Sequence, residues 1–298
     1  MPLNRRRRLL WGGSAALAVL HPFALRAQAP APRLVASFSI LADMARELAP
    51  AGVQVTALVG PDADAHVYEP SPADGRRLSQ ADLVLVNGLG FEGWIERMVE
   101  VAGARGKVAV ATQGIRPRAG GHHGADPHAW QDLVLARRYV ANIGAALARR
   151  WPGRREEIAR RSADYAARID GLDRQVRGWL GAVPREQRRV ITSHDAFGYF
   201  GASYGVDFLA PQGWSTHSEP SAAAVARLIR QIRRDGVRAV FVENISDPRL
   251  VERIAREGGA RIGGTLYSDA LSKPGGPADT YLRLFEHNAR SLAAALQA

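Results

Sequence analysis

The stretch VITSHDAFGYF, residues 190–200, places Ser193, His194 and Asp195 side by side at the end of an apolar run. A hydrolytic triad needs its nucleophile, base and orienting acid to converge within hydrogen-bond distance. Consecutive residues of an extended segment point to alternate sides, so these three cannot form one triad. The G-x-S-x-G elbow of serine hydrolases is also absent from this stretch. His194 therefore needs partners elsewhere in the chain.

Residues that can bind a metal follow four of the predicted strands. His66 comes after VQVTALV, His128 after KVAVAT, His194 after RRVITS and Asp269 after ARIGGTLY. Ligands of open α/β sheets bind outside the carboxyl ends of the strands. Three imidazoles and one carboxylate would form a four-coordinate site, which suits zinc and also admits manganese or iron. Each histidine alone is explained as well by an ordinary polar role in a loop, but their joint placement favours a shared site.

Two α/β units are predicted to position these residues, because short apolar runs alternate with segments of helical period. The predicted strands are RLVASF, VQVTALV, ADLVLVNG and KVAVAT in the first half, and RRVITS, VDFLAP, RAVFVEN and ARIGGTLY in the second. Residues 153–182 read as one long helix between the halves. Its apolar positions are Ile158, Tyr165, Ile169, Leu172, Val176 and Leu180. The predicted lobes are therefore residues 28–152 and 183–298.

Residues 1–27 have the layout of an export signal, with a basic head, an apolar stretch and small residues near the end. Cleavage is expected near Ala27, so the mature chain would begin near Gln28. The arginine run fits a twin-arginine signal as well as a general secretory one. Because the chain has no cysteine, we expect neither disulfides nor a lipid anchor, and hence a soluble, non-lipidated protein of the periplasm.

The formal net charge of +11 becomes about +6 when the five arginines of the predicted signal are subtracted. Among the 40 basic residues only Lys107 and Lys273 are lysines, and the arginines are spread over predicted helices. This distribution is typical of solvent-facing helix surfaces. It argues against nucleic acid as a partner, because no segment gathers arginines and aromatics together.

Six motifs of the chain resemble those of zinc- and manganese-specific substrate-binding proteins of metal ABC importers. The motifs are DAHVYEPSP, DPHAW, SHDAFGYF, SEPSA, VFVENISDP and LYSDALS. The resemblance covers essentially the whole mature chain. It implies two four-stranded α/β lobes bridged by one long helix, with the metal in the cleft between the lobes. It also implies that the chain is not an enzyme and that its partner is the membrane permease of an ABC importer.

The metal ligands that the resemblance implies are His66, His128, His194 and Asp269. Manganese-type members commonly have glutamate at the third position, so a histidine there favours zinc. The softness of imidazole points the same way. Zinc-type members often carry a long loop rich in histidine and acid before the second ligand, whereas this chain has only RAGGHHGAD. Whether His122 and His123 bind metal weakly or lie in a solvated loop stays open.

Acidic residues near the ligands are candidates to accept the second N–H of a metal-bound imidazole. Glu243, Asp195 and Asp126 qualify by position. We expect Asp195 instead to cap a helix beginning at Ala196, and Asp126 has the alternative of shaping the turn before its proline.

Capture and delivery of zinc is the favoured function, with manganese as the second metal. A zinc-dependent hydrolase is the alternative, but catalytic zinc keeps an open position for water, which four protein ligands would close. A purely structural zinc site fits less well, because such sites usually use cysteines close in sequence. We further expect a monomer, with a periplasmic metallochaperone as an additional partner.

Overall fold

The computed structural model describes residues 31–120, 124–237 and 239–297. The predicted signal segment 1–27 lies outside these residues, as do His122 and His123. Ala31–Ala298 cluster as one unit. The boundaries of the two lobes therefore stay a prediction from the sequence.

The first sheet has four strands, all of which the sequence predicts. They are β1 (Arg33–Phe38), β2 (Gln54–Val59), β3 (Leu83–Val86) and β4 (Val108–Val110). The order across the sheet is β2-β1-β3-β4, and every pair is parallel. Helices α1 (Ser39–Leu48), α2 (Pro72–Gln80) and α3 (Ile95–Val101) lie between the strands in sequence. β3 is buried at all four positions, as expected for a parallel strand that is covered on both faces.

A short hairpin and two long helices connect this sheet to the second half. The hairpin strands β5 (Ala119–Gly120) and β6 (Gly124–Ala125) are antiparallel. These two strands are not predicted from the sequence. They are followed by α4 (Leu133–Arg150) and α5 (Arg155–Gly181).

The long connecting helix α5 is confirmed to within two residues of the predicted bounds. Its six predicted apolar positions are the six buried ones, from Ile158 to Leu180. One stripe of a 3.6-residue period faces the core, and burying each large aliphatic side chain contributes roughly 1.5–3 kcal/mol. The helix packs on α1 and α4 of the first half and reaches elements of the second half, so it bridges the two lobes.

The second sheet repeats the first in architecture. Its strands are β7 (Arg189–Ile191), β8 (Asp207–Leu209), β9 (Ala239–Glu243) and β10 (Arg261–Leu266). They are parallel in the order β10-β9-β7-β8. The accompanying helices are α6 (Gly198–Tyr204), α7 (Ala222–Asp235), α8 (Pro248–Gly258) and α9 (Tyr281–Gln297). The implied fold of two four-stranded α/β lobes joined by one helix is confirmed.

Within the described parts of the chain, none of the helices combines the length and the apolar character that crossing a membrane requires.

Candidate metal centre

Four potential ligands converge from four loops, each following a parallel strand. His66 follows β2 and His128 follows β4 by way of the hairpin, while His194 follows β7 and Asp269 follows β10. One ligand atom from each of the four lies within 4.8 Å of the others. The structure thus brings together all four residues that the sequence singles out, two from each half of the chain.

The carboxylate of Asp269 lies at the centre of the cluster. Its Oδ2 is 3.2 Å from Nε2 of His66 and 3.2 Å from Nε2 of His194, and its Oδ1 is 3.6 Å from Nε2 of His128. The Nε2 atoms of His66 and His128 are 3.4 Å apart. All three rings therefore present the same nitrogen, Nε2, to one point.

Several of these inward-facing atoms lack a hydrogen-bond partner among the described residues. They are both carboxylate oxygens of Asp269 and Nε2 of His194. The side chains of His128, His194 and Asp269 are fully buried, and that of His66 is 3% exposed. Buried polar groups are normally paired, and an orphaned cluster needs an explanation such as an ion. The donor set, three neutral nitrogens and one carboxylate, is chemically suited to a divalent transition metal.

Two of the three candidate carboxylates contact the outer nitrogens of the rings. Asp126 Oδ1 is 2.9 Å from Nδ1 of His128 and also accepts the backbone N–H of that residue. Glu243 Oε2 is 2.7 Å from Nδ1 of His194, although outside hydrogen-bond alignment, while its Oε1 accepts the His194 backbone N–H. Such carboxylates fix the ring orientation and direct Nε2 inward.

The third candidate carboxylate behaves differently from our expectation. Asp195 does not cap a helix, because α6 begins only at Gly198 and its N-cap residue Phe197 makes no side-chain cap bond. Instead Asp195 Oδ2 accepts a hydrogen bond from Nε1 of Trp214 at 3.0 Å. The prediction of a helix starting at Ala196 was wrong because the residues after His194 form a turn before the helix begins.

The buried charges perturb the ionisation of the site strongly. Burial by itself lowers the pKa of His128, but the carboxylates of Asp269 and Asp126 outweigh this and raise it to about 9. Burial also lowers the pKa of His194, but the carboxylates of Glu243 and Asp269 outweigh this effect and hold that pKa well above its usual range. Burial raises the pKa of Asp269, yet the two imidazoles more than offset this and hold it well below its usual range. The imidazoles and carboxylates of the cluster thus stabilise each other's charged forms.

Aromatic rings surround the histidines and are not among the features predicted from the sequence. The ring of Phe91 lies 4.7 Å from that of His66, and the ring of Trp130 lies 5.2 Å from that of His128. Phe91 lies two residues after Leu89, a non-glycine residue with a positive φ of 57°. No periodic signal in the sequence points to this strained turn.

A serine-hydrolase arrangement is absent from the described site. The ring of His194 faces Glu243 and Asp269, Asp195 is bound to Trp214, and the Ser193 hydroxyl has no hydrogen-bond partner among the described residues. The three neighbours do not form a triad, as the sequence argument requires.

Comparison with known proteins identifies the family to which this fold belongs. Residues 34–295 match the protein family described as zinc-uptake complex component A, periplasmic (ZnuA). The manganese-binding lipoprotein MntA of Halalkalibacterium halodurans is 31% identical over 256 residues, covering 86% of this chain and 85% of the relative. The iron-binding protein YfeA of Yersinia pestis is 34% identical, covering 88% of this chain and 85% of the relative. The solved structure of the periplasmic zinc-binding protein TroA of Treponema pallidum has a TM-score of 0.86 at 32% identity, over 89% of this chain and 99% of that one.

Fold, site and comparisons together define a substrate-binding protein of metal ABC importers, which is a transport protein and not an enzyme. The chain belongs to the zinc-uptake complex component A family. Members of this family act with the permeases of ABC transporters. The resemblance inferred from the sequence motifs is thereby confirmed.

The predicted localisation needs correction. We expected a soluble periplasmic protein that carries no lipid, but several relatives, MntA among them, are named as lipoproteins. A lipoprotein is held at the membrane by its lipid, so the names of these particular relatives contradict the expectation of a protein without lipid. The expectation of no lipid was based only on the lack of cysteine, and the absence of one residue type was too narrow a basis for it.

Proposed function

We propose that this protein captures zinc outside the cytoplasm and delivers it to the permease of an ABC importer. His66, His128, His194 and Asp269 are the proposed ligands. The observation that carries the proposal is their convergence: four donors from four loops, two in each half of the chain, meet within 4.8 Å. A ligand held by both halves can be released when they separate, which suits a carrier.

The distances within the cluster support a four-coordinate metal. Two ligands of a tetrahedral zinc ion, each about 2.0–2.2 Å from the metal, are separated by about 3.3–3.6 Å. The atom pairs given above lie 3.2–3.6 Å apart. Four of the six donor pairs thus have separations close to those of zinc ligands, and all four donors lie within 4.8 Å of one another, so only a small reorganisation would oppose binding.

Zinc is proposed from the donor types, because the family does not decide the metal. Relatives are named for manganese, iron and zinc. Three imidazoles with one carboxylate favour zinc, whereas manganese prefers a larger share of oxygen ligands. Manganese is the second candidate. Four protein ligands close the shell against a catalytic water, and no observation favours the hydrolase alternative.

A competition experiment tests the choice of metal. We expect metal-free protein to bind zinc more tightly than manganese when the two compete in the presence of a chelator of known affinity. His194→Glu should narrow this preference, because a harder oxygen donor replaces a nitrogen while the number of donors is kept. A parent protein that prefers manganese, or a His194→Glu variant with an unchanged ratio of affinities, would contradict the proposal.

The ionisation of the site predicts that metal binding releases protons. Coordination needs neutral imidazole, while His128, with its pKa near 9, is protonated in the metal-free protein at neutral pH. Affinity should therefore rise with pH up to about 9, by about tenfold per pH unit for each proton displaced. With the unperturbed imidazole pKa of about 6.5, affinity would instead fall only when the pH drops into the acidic range. Calorimetric titration in buffers of different ionisation enthalpy measures the proton release, and a value of zero at pH 7 would contradict the assignment.

The same pKa has the opposite effect on the metal-free fold. A histidine whose pKa is raised on folding stabilises the native state fully below its unfolded pKa, and this contribution is lost as pH rises through the folded value. For His128 that window ends near pH 9. Metal and protons therefore stabilise the site as alternatives to each other.

The lobe boundaries, the monomeric state and a metallochaperone as metal donor stay predictions of the sequence. Size-exclusion chromatography with light scattering measures the oligomeric state directly.

A further inference from the structure

His66 differs from the other three proposed ligands in its surroundings. It lines a cavity of about 880 Å³ together with Trp94 of the first half and Trp214 and His217 of the second. The side chains of His128, His194 and Asp269 are fully buried. Of the four proposed ligands, His66 is the one that lines this cavity.

The backbone of His66 is tied to the second half of the chain by one carboxylate. Asp64 Oδ1 accepts the backbone N–H of His66 at 2.8 Å, and its Oδ2 accepts a short hydrogen bond from the hydroxyl of Thr216. Thr216 belongs to the loop between β8 and α7. Asp64 and Thr216 line a second cavity, of about 390 Å³, while their sequence neighbours Ser215 and His217 line the larger one.

The other ligand with an aspartate two positions earlier is held differently. Asp126 contacts both the backbone N–H and the ring Nδ1 of His128, so that ring is fixed directly. For His66 the corresponding hydrogen bond of Asp64 reaches only the backbone. The position of the His66 ring consequently depends on how firmly Asp64 itself is held.

We propose that Thr216 is a positioning residue that acts on His66 through Asp64 and slows the dissociation of the metal. With the hydrogen bond in place, the loop of His66 stays closed on the cluster. Without it, His66 withdraws first and leaves the metal open to the larger cavity. The inference rests on the proposed function, since it assumes that His66 is a metal ligand.

Zinc dissociation into excess chelator, followed by stopped flow, tests the role of Thr216. We expect Thr216→Val to speed dissociation about tenfold or more, because a hydrogen bond to a charged group is lost. The association rate should change by less than about threefold, since effects within one site fall mostly on dissociation. Thr216→Ser keeps the hydroxyl and should therefore dissociate zinc at the parent rate. Thr216→Ala serves as a second variant without the hydroxyl.

Ser203→Ala is the matched control. The Ser203 hydroxyl on α6 donates to Asp132 at 2.7 Å, a bond of the same type between the two halves. Asp132 caps α4 and holds no proposed ligand. This variant should keep the parent dissociation rate, and the metal-free melting temperatures show whether either change only weakens the fold.

Parent-like dissociation in both Thr216→Val and Thr216→Ala would overturn the inference, and so would equal acceleration in Ser203→Ala. A parent protein that binds no zinc at the start would overturn the proposed function instead.

Discussion

Replacing His194 with alanine is expected to remove most of the rise in melting temperature that zinc gives to the parent protein. A ligand that binds only the folded state adds RT ln(1 + [L]/Kd) to stability, on the order of 4 kcal/mol at a thousandfold excess over Kd. With an unfolding entropy of about 2.1 cal/mol/K per residue, this corresponds to roughly 7 °C for a chain of this size. With one of four donors missing, Kd rises and this term shrinks. Differential scanning calorimetry with and without zinc measures the rise in melting temperature for each protein.

The metal-free form of each variant is the necessary reference. His194→Ala also leaves the buried carboxylate of Glu243 without its imidazole, and an uncompensated buried charge is itself destabilising. The informative quantity is therefore the difference that zinc makes to each variant. His287, whose ring contacts the carbonyl of Thr265 outside the site, supplies the control: His287→Ala should retain the full rise. A full rise in His194→Ala would show that the four-ligand assignment is wrong.

Replacing Asp269 with asparagine is expected to weaken zinc binding more than the change of any outer carboxylate. The substitution keeps the shape of the side chain but removes the one charge that lies within 3.6 Å of all three imidazoles. Loss of a partner behind a ligand typically costs about 10–100-fold in affinity. Loss of the charged donor itself should exceed this range. Competition with a chelator of known affinity measures the change.

The comparison variant is Glu243→Gln, which alters only the group behind His194. Its affinity loss should stay within about 10–100-fold. Asp269→Asn should also release fewer protons on binding zinc, because the carboxylate that raises the pKa of His128 and His194 is gone. Equal losses in the two variants would mean that Asp269 acts as a positioning group and not as a ligand.

The strands and the connecting helix were predictable because their signals are local. All eight predicted strands are present, trimmed by one or two residues at some ends, and the apolar period of α5 marks its buried face correctly. Short apolar runs such as RRVITS predict a strand but not the residue at which its pairing ends. The strand β7 ends at Ile191. The hairpin of β5 and β6 has only two residues per strand, too few to form a periodic pattern.

The four proposed ligands were predictable from the sequence, but most of the contacts that hold them in place were not. Four ligand-type residues at strand ends must converge if both sheets present those ends to one cleft. The hydrogen bond from Thr216 to Asp64 joins residues 152 positions apart, and no local sequence pattern predicts such a contact. The repeated D-x-H spacing at His66 and His128 was the available hint that an aspartate stands behind each. Asp195 was misassigned because its true partner, Trp214, is close only in the folded chain.

The most direct test of metal capture at this cluster is the metal content and ligand environment of protein purified without chelator. We predict about one zinc ion per chain, with X-ray absorption showing a first shell of three imidazole nitrogens and one carboxylate oxygen, and no bound zinc in a variant that combines His194→Ala with Asp269→Asn. Protein without metal that also fails to bind added zinc, or a double variant that retains it, would contradict the account.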